Sequence, residues 1–325
     1  MKRKAALLIL CALLLALCAC GGTAPGGQGS HSPAASGPES PAASQNMPTV
    51  DPSGAPISIP ETVDSIVVLA PSLAETVVAL GLGGKVVGCD MNSAGIAGLP
   101  EDVPVLDMVN PDMERLTALA PDVLLVSSMS LYDQESPYKP LIDVGICVIC
   151  VPTSDSIDGV RDDIQFLAAA LGADEAGKDL LDGLDAQLDQ LAGIAAAVPA
   201  QERRSVYFEI SPAPYLYSTG GGTYLDEMIR WVGGENILSG HTGWLSVEGE
   251  TIVAADPDVI FTNVNYIDDP IDELLGRDGW AGVTAITNGD VYYIDNKAST
   301  LPNHNIITAM RQMAEALYPD YYAAG

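Results

Sequence analysis

Positive charge is scarce in this chain. Its 325 residues include 43 aspartates and glutamates against 14 lysines and arginines. Three of those bases lie in the first four residues, so beyond residue 20 the balance is 43 to 11, a formal charge of −32. Such a surface excludes nucleic acid as a partner and electrostatic adhesion to anionic lipid, both of which need basic patches. It also disfavours a strongly anionic ligand, because few arginines are at hand to clamp one. Histidine is rarer still. Apart from His31, only His241 and His304 remain, too few for the convergent ligand set of a bare zinc or manganese ion. Cysteine builds no disulfide framework: Cys11, Cys18 and Cys20 lie at the start, leaving the odd number Cys89, Cys147 and Cys150. The last two have CxxC spacing, inside an apolar run that reads as a buried strand whose i and i+3 positions face opposite sides; metal or redox work is the alternative. There is no GxSxG elbow, P-loop or HExxH, and "GGGTYLDE" lacks the spacing of a dinucleotide fingerprint. No pair among the scattered acids stands out as catalytic. The expectation is a protein that is not an enzyme and has no catalytic residue, resident metal or cofactor.

Long hydrophobic runs are also missing, with one exception. After the cationic "MKRK" comes "AALLILCALLLALCA", about 15 apolar residues, short for a spanning helix and suited to an export signal. The signal ends in "LCACGG", which resembles the lipobox of bacterial lipoproteins and implies that Cys20 is lipidated; an uncleaved anchor is the alternative. More than one acyl chain on Cys20 suffices for stable anchoring. Residues 21–56 are rich in Gly, Ala, Pro and Ser and read as a flexible tether.

From there strands and helices alternate. "DSIVVLA", "GKVVGC", "DVLLVS" and "GICVICVP" are strands apolar throughout, as a parallel sheet covered on both faces requires. Between them run the helices "PSLAETVVALGL", with Ser72 and Glu75 spaced as a capping box, and "NPDMERLTALA", with Asn110 as expected N-cap. From about 156 to 200 helical periodicity takes over. Alternation then resumes, with "GTYLDEMIRWVG" opened by Thr223, and continues to the end. The fold class is therefore α/β, two doubly wound lobes (57–155 and 201–325) joined by a helical connector (156–200). "APDVLLVS" at 120–127 returns as "DPDVIFTN" at 256–263, an offset of 136. The same offset pairs Met108 with Trp244, Asp112 with Glu248 and Glu114 with Glu250, so one supersecondary unit is written twice.

Ligands of open α/β sheets settle beyond the carboxyl ends of the strands. In the first lobe that edge carries Ser72, Met108, Ser127, Ser128, Met129 and Tyr132. In the second it carries Ser211, Tyr215, Tyr217, Trp244, Asn265, Tyr266 and Ser299. The set is aromatic, thioether and hydroxyl, with little charge. Trp231 and Trp280 read as core; for Trp244 and Met108 core packing is the competing reading.

The segments "SIVVLAPSLAETVVALGLGGKVVGC", "NPDMERLTALAPDVLLVS", "GTYLDEMIRWVGGENIL" and "GWLSVEGETIVAADPDVIFTN" resemble the substrate-binding proteins of ABC importers for iron complexes and vitamin B12. The resemblance spans about Asp64 to Tyr318. It implies two lobes on a rigid interdomain helix with small closure, lipid anchoring outside the cell membrane, a monomer, and a permease dimer with its ATPase as partners. It also implies that Glu114 and Glu250 dock on arginines of the permease. The bland alternative is that acids near a helix start complement its dipole. On sequence both glutamates lie a turn past Asn110 and Ser246, deeper than that benefit reaches.

The cargo expected is a small metal chelate, a corrinoid or a neutral hydroxamate–iron complex, which an aromatic, hydroxyl-lined cleft suits. Haem is a further possibility, with Met108, His241 or His304 as axial ligand. A ligand-sensing lipoprotein without transport is another.

Overall fold

The computed structural model describes residues 47–128 and 137–322, which belong to one compact unit. The first lobe holds β1 (Ile66–Val68), β2 (Val86–Asp90), β3 (Val105–Leu106), β4 (Val123–Val126) and β5 (Cys147–Cys150), a parallel sheet in the order β3-β2-β1-β4-β5. The second lobe holds β6 (Ser205–Glu209), β7 (Tyr217–Thr219), β8 (Glu235–Asn236), β9 (Trp244–Ser246), β10 (Val259–Thr262) and β11 (Val291–Tyr293). Four of these form a parallel sheet in the order β11-β10-β6-β8, while β7 and β9 pair as an antiparallel ribbon.

Both sheets are covered on both faces, which is why their strands are apolar at every position. Along β1 and β4, Ile66, Val68, Val123 and Leu125 enter one core and Val67, Leu124 and Val126 the other. The same alternation sends Cys147 and Cys150 to opposite faces. Burial pushes both thiols up to about 11, so neither yields an appreciable thiolate near neutrality.

The connector is a hairpin of two helices, Ile157–Leu171 and Asp174–Ala197, turning at Gly172 with φ +69°. Ile157, Val160 and Ile164 pack into the second lobe's core, and Leu167, Ala168 and Leu171 into the first. Leu184, Leu188 and Leu191 of the other helix return to the second lobe, with Leu180 touching both cores. The helices approach so closely that a Cβ on Gly177 would lie 2.3 Å from Cβ of Ala168, so only glycine fits there. Each buried aliphatic side chain contributes about 1.5–3 kcal/mol. Sliding one lobe against the other would disturb a whole row of them, and the joint is correspondingly stiff.

Two sequence expectations change here. Residues 50–56, expected in the tether, fold back as a turn in which Val50 bridges Pro56 and Asp51 accepts the amide of Cys150 (2.9 Å). The backbone of edge strand β5 supplies the donor that holds them. The capping box at Ser72 is also absent. That helix runs Pro71–Ala79 with Ala70 as N-cap and no side-chain cap, and Glu75 is engaged elsewhere. Thr223 does cap its helix, accepting from the amide of Asp226 (3.1 Å).

Candidate functional site

The strand order reverses between β1 and β4 in the first lobe and between β6 and β10 in the second. At such a switch point neighbouring connections leave in opposite directions and open a crevice at the carboxyl edge. At the opposite, amino end of these strands the two lobes are tied alike. Asp122 Oδ2 accepts from the amide and the hydroxyl of Ser65, both at 2.9 Å, and its own amide donates to Ser65 Oγ (3.0 Å). Asp258 repeats this with Ser205, at 2.8, 2.7 and 3.0 Å. Just before each aspartate the chain passes a left-handed residue, Ala120 (φ 44°) or Asp256 (φ 47°), that ends helix Met113–Leu119 or helix Gly249–Ala255. The 136-residue repeat is thus one structural unit, down to the hydrogen bonds that lock helix to strand.

Ser72, Ser127 and Ser128 stand just beyond the switch strands of the first lobe. Ser72 and Ser127 wall a narrow enclosed space together with Asp163 of the connector and Asn303 of the second lobe. Burial raises the Asp163 carboxyl to about 6, opposed by the Ser154 hydroxyl at 2.5 Å. Met108 is half-buried against the first lobe's core. Met129 and Tyr132 lie outside the described residues.

The second lobe gathers more. Tyr215 is 83% exposed, Tyr266 65%, and Tyr217 and Trp244 37% each. The Tyr266 hydroxyl donates to Ser211 Oγ (3.3 Å), and Ser211 exchanges backbone hydrogen bonds with Tyr217. Across the ribbon Thr219 faces Trp244 and Tyr217 faces Ser246, so Tyr217 and Trp244 share one face. The Trp244 ring rests on Tyr224, centroids 5.4 Å apart. Asn265 is exposed beside Tyr266 and borders a cavity of about 500 Å³ with Tyr293. Ser299 is different. It is 1% exposed, and its hydroxyl donates to Asp295 O (2.7 Å) and accepts from Asn263 (2.9 Å). Its place one turn into a short helix puts it beneath the surface that the sequence assigned to it.

Arg277, at this edge, is already neutralised. Arg277 forks onto Glu209 at 2.6 and 3.0 Å, pairs with Glu273 and lies over Trp280, 4.5 Å from the ring centre. It has no charge to spare for an anion.

Glu114 and Glu250 are exposed, each at the second position of its helix. This corrects the deeper position read from sequence, because the caps are Asp112 and Glu248. Asp112 accepts the amide of Arg115 (3.0 Å), while the backbone at Asn110 turns on Asp107 (2.9 Å). Both glutamates therefore complement the helix dipole as well as facing solvent. In a parallel α/β lobe helices run back along the strands, so these starts lie at the carboxyl edge.

Sequence reasoning passed over the residues that join the lobes. Glu75 Oε2 accepts from Asn303 Nδ2 (2.7 Å) and Asn305 Nδ2 (2.9 Å), across 228 and 230 residues. A polar "PNHN" loop was the only local signal.

Residues 66–298 match the family model described as periplasmic binding protein. The chain belongs to that family. The uncharacterized ABC transporter substrate-binding lipoprotein YvrC of Bacillus subtilis is 30% identical over 84% of this chain and 85% of its own. The cobalamin-binding protein of Halobacterium salinarum is 26% identical over 82% of this chain and 73% of its own. Among solved structures, the molybdate periplasmic binding protein MolA of Haemophilus influenzae superposes with a TM-score of 0.72 at 22% identity, covering 86% of this chain and 93% of its own. The architecture of this periplasmic binding protein is thus the two-lobed one expected from the sequence.

Proposed function

We propose that this chain is the extracytoplasmic substrate-binding component of an ABC importer, tethered to the membrane through Cys20. It takes a corrinoid or a ferric siderophore complex in the crevice between its lobes and delivers it to a two-fold permease and its ATPase. Glu114 and Glu250 set the docking register, and no chemistry is done on the cargo. The observation that carries the cargo class is the exposed ledge of Tyr215, Tyr217, Trp244 and Tyr266, backed by hydroxyls and by an arginine already held by two carboxylates. Such a surface gains from stacking and apolar contact with a large, weakly charged chelate. The names of relatives that bind cobalamin support the corrinoid arm of the reading. Cys20 lies outside the described residues; the lipoprotein name of the Bacillus relative supports the anchor.

Haem is the weaker alternative. Met108 packs against a core and His304 lines a side recess between the lobes, while His241 is exposed in a loop. Titration of the full-length lipoprotein in detergent with cyanocobalamin, ferrichrome or haemin, followed by tryptophan fluorescence, tests the cargo. A saturable change with one of the first two is expected. Silence towards all three removes the proposal.

A further inference from the structure

A second recess of about 340 Å³ opens between the lobes, beside the helix Pro71–Ala79. Glu75, Ala79 and Ile96 wall it from the first lobe, and Lys297, His304 and Asn305 from the second. Lys297 is exposed and forms no ion pair among the described residues, although the chain is rich in carboxylates. Nδ1 of His304 is buried with no hydrogen-bond partner. Burial holds that imidazole below its usual pKa, against the pull of Glu75, so the ring is neutral. In its Nε2–H tautomer the orphan nitrogen is an acceptor. Glu75 already receives two amide donors on Oε2.

These groups select an occupant. An apolar arm would leave the buried imidazole nitrogen unmet, at roughly 1–3 kcal/mol, and give the lysine no acceptor. A carboxylate arm would meet Lys297 but face Glu75 and offer His304 no proton. A neutral arm with one carbonyl and one N–H satisfies both. We propose that this recess is a side-arm subsite for a primary carboxamide of the cleft-bound cargo, with Lys297 Nζ donating to its carbonyl oxygen and His304 Nδ1 accepting from its N–H. The inference rests on the chelate-binding reading above and narrows it, because corrin rings carry a fringe of carboxamide arms whereas hydroxamate complexes present N–O groups.

Isothermal titration of the full-length lipoprotein, wild type, Lys297→Met and Ala79→Phe, tests it with two probes. Dicyanocobinamide keeps the carboxamide arms; the dicyano heptamethyl ester of cobyrinic acid has esters there, which accept but do not donate. The wild type should prefer cobinamide by at least about tenfold, as expected when a site's polar groups lose their partner. Ala79→Phe, which fills the recess, should lose that preference, and Lys297→Met should weaken both probes, which share the accepting carbonyl, while the ligand-free melting temperature holds in both variants. A wild type that binds both probes alike, an Ala79→Phe variant that keeps the preference, or a Lys297→Met variant that binds both probes as tightly as the wild type overturns the subsite and leaves the cargo reading standing. A wild type silent towards every corrinoid overturns the subsite and the corrinoid arm of the cargo reading.

Discussion

Glu75 and Asn303 meet across the gap between the lobes, with 2.7 Å between Oε2 and Nδ2. The contact ties the first helix of one lobe to the loop ahead of the last helix of the other. Replacing Glu75 by alanine would strand the Nδ2 groups of Asn303 and Asn305, the former almost fully buried. We expect a loss of about 2–3 kcal/mol in urea unfolding, since hydrogen bonds to charged groups contribute roughly 1.5–3 kcal/mol. Glu75→Gln keeps an acceptor and should cost less. Equal costs would mean that the contact does not hold the joint.

Trp244 separates binding from stability. Its exposed face is free for cargo and its other face rests on Tyr224. Trp244→Ala should cut cargo affinity by about tenfold or more while costing only about 0.5–1.5 kcal/mol of stability, the worth of an aromatic pair. A large loss of stability measured by thermal melting would make it a core residue instead.

Asp163 should give the protein a pH-dependent stability. Its folded value, about 6, is raised above the ordinary carboxyl value by burial. The native state therefore holds a proton that the unfolded chain has released between about pH 4 and 6. Stability from this group is present below that window, falls as pH rises through it, and is flat above. Asp163→Asn should remove about 1–3 kcal/mol of this fall, read from denaturation midpoints at pH 4, 5, 6 and 7. An unchanged profile would place the proton elsewhere.

Glu114 and Glu250 are expected to act at the membrane and not on the cargo. The Glu114→Arg, Glu250→Arg double variant should bind cargo normally yet fail to support uptake in cells. It should also lose stability, by about 0.3–1 kcal/mol per helix, because each charge reversal opposes a dipole. Full uptake by the double variant would leave these glutamates as helix acids only.

Cys20→Ala should release the protein from the membrane fraction into the medium or wash. Retention of the variant in the membrane pellet would point to an uncleaved apolar anchor.

Much of the fold was legible in the sequence. The unbroken apolar strands "DVLLVS" and "DVIFTN" mark a sheet covered on both faces, and their 136-residue offset marks a duplicated unit. Asp122 and Asp258 then recur at matching places because each locks the same helix to the same strand. The β7–β9 ribbon that carries Tyr217 and Trp244 was not legible. Its strands are three residues each, too short for periodicity to show, and they pair residues 25 to 29 positions apart. Nor did local pattern separate Ser211, which meets Tyr266 at the surface, from Ser299, which is buried under its own helix turn.

The sequence by itself determined the two α/β lobes, the helical connector and the near absence of free positive charge. Those follow from periodicity and composition, which act between neighbours along the chain or not through geometry at all. Only the tertiary structure decided that Glu75 bridges the lobes instead of capping its helix, that Arg277 is spent on Glu209 and Glu273, and that Lys297 faces a recess with His304. Glu75 meets partners 228 and 230 residues away and Arg277 meets Glu209 68 residues away, and the recess before Lys297 and His304 needs a wall from the other lobe. Burial sets the cost of leaving any of them unmade, and burial exists only once the lobes have packed.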